Sequence, residues 1–119
     1  MHGRLLSTCE YSEGLRHGSW EQMYGNGAVE KAARYVRGEK IGVHEEWWMD
    51  GSPRRRETWE RGEKEGPFVF WYPDGTVNME GTYRAGLREG RFVFRDRQGR
   101  IDERQSGLFR KGVKVAELP

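Results

Sequence analysis

Three features of the chain predict an all-β fold, a single-layer antiparallel sheet of consecutive β-hairpin repeats. They are a 24-residue repeat, glycine-marked turns at fixed places in each unit, and period-two alternation in between. Each unit opens on an aromatic with glycine three and seven residues later: Tyr11-Gly14-Gly18, Tyr35-Gly38-Gly42, Trp59-Gly62-Gly66 and Tyr83-Gly86-Gly90. The starts differ by 35−11, 59−35 and 83−59, which is 24 each time. A half-copy, Phe109-Arg110-Lys111-Gly112, follows after 109−83 = 26, so the last unit carries a two-residue insertion. The chain divides as 3–26, 27–50, 51–74, 75–98 and 99–119, within one domain spanning 1–119.

The turns come first. A further glycine recurs at Gly3, Gly27, Gly51, Gly75 and Gly99, closing Gly25-Asn26-Gly27, Met49-Asp50-Gly51, Pro73-Asp74-Gly75 and Arg97-Gln98-Gly99. Asn-Gly and Asp-Gly tolerate the positive φ that a tight turn between twisted strands demands, so each unit is expected to be a hairpin. Outgoing strands are expected at 20–24, 44–48, 68–72 and 92–96, with Phe68-Val69-Phe70-Trp71-Tyr72 the clearest. Return strands are expected at 28–35, 52–59, 76–83 and 100–109.

Most of the aromatics fall in three repeat slots: Tyr11, Tyr35, Trp59, Tyr83 and Phe109; Trp20, Phe68 and Phe92; Tyr24, Trp48 and Tyr72. Stacked hairpins would align them as ladders on one face, where cross-strand aromatic pairs contribute roughly 0.2–1 kcal/mol each. That face is the expected core, with His44 standing in one of its slots.

The string Glu80-Gly81-Thr82-Tyr83-Arg84-Ala85-Gly86-Leu87-Arg88-Glu89-Gly90-Arg91-Phe92 resembles the MORN repeat, and the likeness runs in phase from Gly3 to Gly112. The glycine two before the anchor aromatic is replaced by Cys9, Ala33 and Glu57 in the earlier copies. The residue two after the Gly-x-x-x-Gly pair is aromatic or His (Trp20, His44, Phe68 and Phe92), which is closer to the variant repeats of short bacterial proteins often labelled antitoxins. The resemblance implies a scaffold or binding platform, with partners ranging from lipids to motor-protein tails.

Composition fits an open sheet. Of 119 residues, 34% are hydrophobic and 34% charged, with 17 glycines. About ten strands at ~4.8 Å spacing would make a thin sheet roughly 45–50 Å long, stabilised by nearest-neighbour contacts. Neither end carries a capping pattern, and Lys111, Lys114 and Glu117 are the charges available to discourage edge pairing.

A formal charge of +2, from 21 basic and 19 acidic residues, argues against a general polyanion binder. The densest basic run is Arg54-Arg55-Arg56, flanked by Glu57 and Glu60. With Cys9 as the one cysteine, no intrachain disulfide forms, and a reduced, cytoplasmic setting is expected. No apolar stretch reaches transmembrane length. His2, His17 and His44 lack metal-ligand spacing, Cys9 has no base nearby in sequence, and Glu45-Glu46 would point to opposite faces of a strand. No enzyme activity, cofactor or metal is therefore expected.

The second face offers the expected partner site. Residues alternating with the aromatic ladders place Met23, Trp47, Trp71 and Arg95 in one slot, joined by Val69 and Val93. Such an apolar stripe in a charged chain marks a surface for another protein, laid on as a helix or extended segment, with Arg54 and Arg56 beside it. The alternatives are a homo-oligomer formed through open sheet edges, and a platform for anionic lipid or single-stranded nucleic acid using Arg54, Arg55, Arg56 and Arg95.

Overall fold

The computed structural model describes residues 6–12 (backbone) and 14–119 (side chains other than that of Arg16). Tyr11 and Cys9 thus lie outside the described side chains, and Gly3 and His2 outside the described residues altogether.

Among the described residues, eleven strands and no helix form one antiparallel sheet. They are β1 (Leu6–Ser12), β2 (Leu15–Met23), β3 (Val29–Val36), β4 (Glu39–Trp47), β5 (Pro53–Glu60), β6 (Glu63–Trp71), β7 (Val77–Arg84), β8 (Leu87–Arg88), β9 (Gly90–Phe94), β10 (Gly107–Arg110) and β11 (Val113–Ala116). Each strand pairs with its neighbours in sequence, and the order runs open from β1 to β11, with β8 and β9 both pairing β7. The molecule measures 47 × 32 × 15 Å, the thickness of a single layer with its side chains.

Two kinds of turn alternate along the chain, and the glycines build both. At one edge a two-residue link joins paired neighbours such as Glu60 and Glu63, and both of its residues have positive φ, 52° at Arg61 and 78° at Gly62. This is the type I′ combination that suits strand twist. Arg37-Gly38, Ala85-Gly86 and Lys111-Gly112 repeat it. At the other edge Gly75 donates its N–H to the Tyr72 carbonyl, Tyr72 donates to Thr76, and Asp74 Oδ1 accepts the Thr76 amide at 2.9 Å.

The type I′ turns also fasten one hairpin to the next. Gly86 N–H donates to the Lys64 carbonyl at 2.9 Å and Gly112 N–H to Arg88 at 3.0 Å. Glu65 and Glu89 accept the amides of Ala85 and Lys111 from the following turn.

Register slips once per unit in the outgoing-to-return pairing. Met23 faces Val29, Trp47 faces Pro53 and Trp71 faces Val77, leaving Glu30, Arg54 and Asn78 as the extra residue of a β-bulge. Bulges bend a strand and increase twist. Repeated every hairpin, they let a one-layer sheet bury one face without a second layer.

The core lies on that face, toward the C-terminal end. Phe92 is fully buried, its ring 5.5–6.2 Å from those of Phe68, Tyr83, Phe94 and Phe109. These contacts contribute about 0.5–1.5 kcal/mol each beyond burial. Gly81 fits beneath the ring because a Cβ there would clash with its Cδ2, Cγ and Cε2 edge.

The last return strand departs from expectation. Instead of strand over 100–109, a turn occupies 103–105 and β10 begins at Gly107. Asp102 Oδ1 accepts the amides of Arg104 and Gln105, and the buried Ser106 hydroxyl exchanges hydrogen bonds with the Phe94 backbone. The two-residue insertion makes room for this turn. Lys114 then ties β11 to it through the carbonyls of Glu103 and Arg104, although Val113 and Val115 stay exposed.

Candidate functional site

The pleat and the bulges decide which side chains share a face. On the aromatic face, Trp20 and Tyr35 meet edge-on at 6.4 Å. Tyr24 and Tyr72 lock neighbouring hairpins, their hydroxyls donating to the carbonyls of Trp47 (2.7 Å) and Arg95 (2.8 Å). Trp48 holds the equivalent slot between them, but its buried indole N–H has no hydrogen-bond partner among the described residues.

A row of cations covers this face. Each anchor aromatic pairs across its turn with a basic residue: Tyr35 with Lys40, Trp59 with Lys64, Tyr83 with Arg88 and Phe109 with Lys114. The cation then leans over the ring of the next hairpin. Lys40 lies 4.8 Å from Trp59, Lys64 4.9 Å from Tyr83 and Arg88 5.5 Å from Phe109. Sequence reading passed over this ladder, though Arg16, Lys40, Lys64 and Arg88 recur every 24 residues and could have revealed it.

In the N-terminal half the same face holds charge where the C-terminal half holds phenylalanine. His44, in the slot of Phe68 and Phe92, is 4% exposed. Its Nε2 donates to Glu46 Oε2 at 3.0 Å, while its buried Nδ1 has no hydrogen-bond partner among the described residues. Arg54 reaches Glu46 (3.0 Å), Glu30 (3.5 Å) and the Tyr24 hydroxyl (3.2 Å). Glu57, 3% exposed, accepts the Trp59 indole N–H at 3.0 Å and faces Lys64 at 3.5 Å.

Burial opposes ionisation of Glu46, but the His44 hydrogen bond and the charges of Arg55 and Arg54 outweigh it and hold the carboxyl at about 2. Burial raises the Tyr24 phenol against the pull of Arg54, and lowers Lys40 against Glu57 and Glu46. Every carboxylate of the cluster is engaged by a cation or a donor, so the arrangement works as a charged core. Among the described residues no group of His, Cys, Asp and Glu could hold a metal ion, and no helix is long and apolar enough to cross a membrane.

Arg54 therefore does not stand beside the outer stripe. As the bulge residue it escapes alternation and turns inward, and Arg55 follows the pleat onto the aromatic face, 5.2 Å from the Phe70 ring. Arg56 alone of the run is on the outer face, 62% exposed and 3.7 Å from Glu45, the partner opposite it. Glu45 and Glu46 do point to opposite faces.

On the outer face Met23, Trp47, Trp71 and Arg95 are half-buried and occupy equivalent positions in successive hairpins. Each pairs with an apolar residue of the return strand: Val29, Pro53, Val77 and Ile101. The stripe is thus two columns wide, a doubling that sequence alternation did not supply because the bulge shifts the pairing. Val69 is half-buried beside it, whereas Val93 is buried. Arg95 donates to the Gly99 carbonyl at 3.2 Å. The Trp47 and Trp71 indoles differ from that of Trp48: neither donates to a described residue and neither N–H is buried. The chain matches no family model and no curated protein.

Proposed function

We propose that this chain is a non-enzymatic protein-interaction module, a MORN-like repeat platform that binds a protein partner along the outer face of its sheet. The observation that carries this reading is the double apolar column with its two open indoles. Large aromatics clustered in a rim of charged residues supply most of the energy in protein interfaces. The opposite face is covered by the molecule's own cations, which leaves the outer column as the apolar surface open to a partner. An antitoxin-like role, occluding a toxin, is one form this activity would take.

A second reading is favoured by β11, whose exposed Val113 and Val115 (63% and 60%) sit on an edge strand. Such an edge suits strand addition by a second copy. Size-exclusion chromatography with light scattering separates the two. For the interaction module, Trp47→Ala/Trp71→Ala abolishes co-purification of the partner while the variant stays folded and monomeric. For self-assembly, those changes leave association intact and Val115→Pro removes it by deleting a ladder donor. A wild type that is monomeric, yields no co-purifying protein and binds anionic vesicles or single-stranded nucleic acid would defeat both.

A further inference from the structure

Resting on the interaction-module reading, we infer that the outer stripe is built for a proline-rich segment in the polyproline II conformation, lying across the strands with one three-residue turn per hairpin. The warrant is a match of lengths. Equivalent positions in successive hairpins are two strands apart, about 9.4–9.8 Å at ordinary sheet spacing. A polyproline II helix rises about 3.1 Å per residue with three residues per turn, a pitch of about 9.3 Å. Over three hairpin steps the mismatch grows to only about 1 Å.

The other regular backbones fail this test. An extended strand also advances about 9.9 Å in three residues, but its side chains alternate with period two, so every third residue turns away. An α-helix returns to one face after seven residues, about 10.5 Å, and drifts by nearly 3 Å over the same three steps.

Chemistry agrees with the spacing. A polyproline II backbone makes no internal hydrogen bonds and presents its carbonyls to whatever binds it. Trp47 and Trp71 hold indole N–H groups that are neither buried nor bonded to any described residue, one hairpin apart and flanking Pro53. Aromatic faces with such donors are the surfaces on which proline rings pack. The fourth slot carries Arg95, which forms no ion pair among the described residues, so an acidic side chain at that end of the ligand would set its direction.

A displayed library of random twelve-residue peptides, long enough for about four polyproline turns, tests this. It is selected on the wild-type protein and counter-selected on Trp47→Ala/Trp71→Ala, after circular dichroism has shown that the variant is folded. The expected survivors carry proline at three-residue spacing. Survivors with apolar residues at i, i+3, i+4 and i+7, or strictly alternating, would overturn the polyproline inference while upholding the interaction module. Absence of any tryptophan-dependent survivor would defeat both. Should the double variant fail to fold, Trp71→Phe takes its place in the counter-selection. Measured with a selected proline peptide, Trp71→Phe keeps a ring and removes one donor, and is expected to weaken binding about 2- to 10-fold. Unchanged affinity would refute the assigned role of the indole N–H.

Discussion

Phe92 and Gly81 should behave as one unit, and a double-mutant cycle can show it. Phe92→Ala removes a fully buried ring in contact with four others. A change of this kind costs about 3–5 kcal/mol. Gly81→Ala alone drives a methyl group against the edge of the Phe92 ring. Overpacking of this sort costs about 1–3 kcal/mol. With the ring gone the same methyl enters vacated space, and alanine in a strand then gains about 0.5–1 kcal/mol over glycine. The two changes should therefore be sub-additive by about 2–3 kcal/mol, at the upper end of couplings seen between touching residues. Urea unfolding followed by tryptophan fluorescence gives the four stabilities. If Phe92→Ala leaves too little folded protein, Phe92→Leu closes the cycle with a smaller expected coupling. Additivity within about 0.5 kcal/mol would mean that the ring does not rest on Gly81, and the packing described for the core would be wrong.

Three further outcomes are expected. Glu46, held at about 2 against an ordinary 4.5, contributes stability that is complete above about pH 4.5 and is lost as pH falls toward 2, a span worth roughly 3 kcal/mol; Glu46→Gln should flatten that part of the profile, and an unaltered acid limb would refute the assignment. Trp48→Tyr should raise stability by about 1 kcal/mol, because a hydroxyl there can donate to the Trp71 carbonyl as Tyr24 does to Trp47 and Tyr72 to Arg95, and the unpartnered indole disappears; a lower melting temperature would show that the Arg54 contact with the indole matters more. Gly75→Val, at φ 94°, should cost more than 1 kcal/mol in thermal unfolding, while Ala85→Asn, at φ 49°, should gain a few tenths to 1 kcal/mol; neutrality at both would contradict the turn geometry.

The hairpins, their turns and the aromatic ladders were legible in the sequence because glycine position and period two are direct images of backbone geometry. Tyr35, Phe68, Phe92 and Phe109 are buried where the slots place them, and Gly27, Gly51 and Gly75 have the positive φ their turns require. Arg54 was not legible. A bulge adds one residue to a strand, and counting by alternation beyond it assigns the wrong face. The strand expected at 100–109 failed for a related reason, since an insertion is visible as a broken period but not as the Asp102 turn it becomes. The charged cluster around His44 was visible as a departure from the aromatic slot, but its partners come from three hairpins and no local pattern links them. Of the outer stripe, one column was legible and the second depended on pairing.

Because no strand pairs with one more than two places away in sequence, no contact in the sheet has to wait for a distant segment of chain to arrive. Most all-β domains fold slowly because their strands close long loops before any pairing rewards the lost entropy. Here each hairpin can close through its own type I′ turn and serve as a template for the next, so folding should proceed as a zipper and relax faster than a sandwich of similar length. The aromatic half around Phe92 is the natural place for that zipper to start, and the charged half around His44 the first part to open in native-state hydrogen exchange.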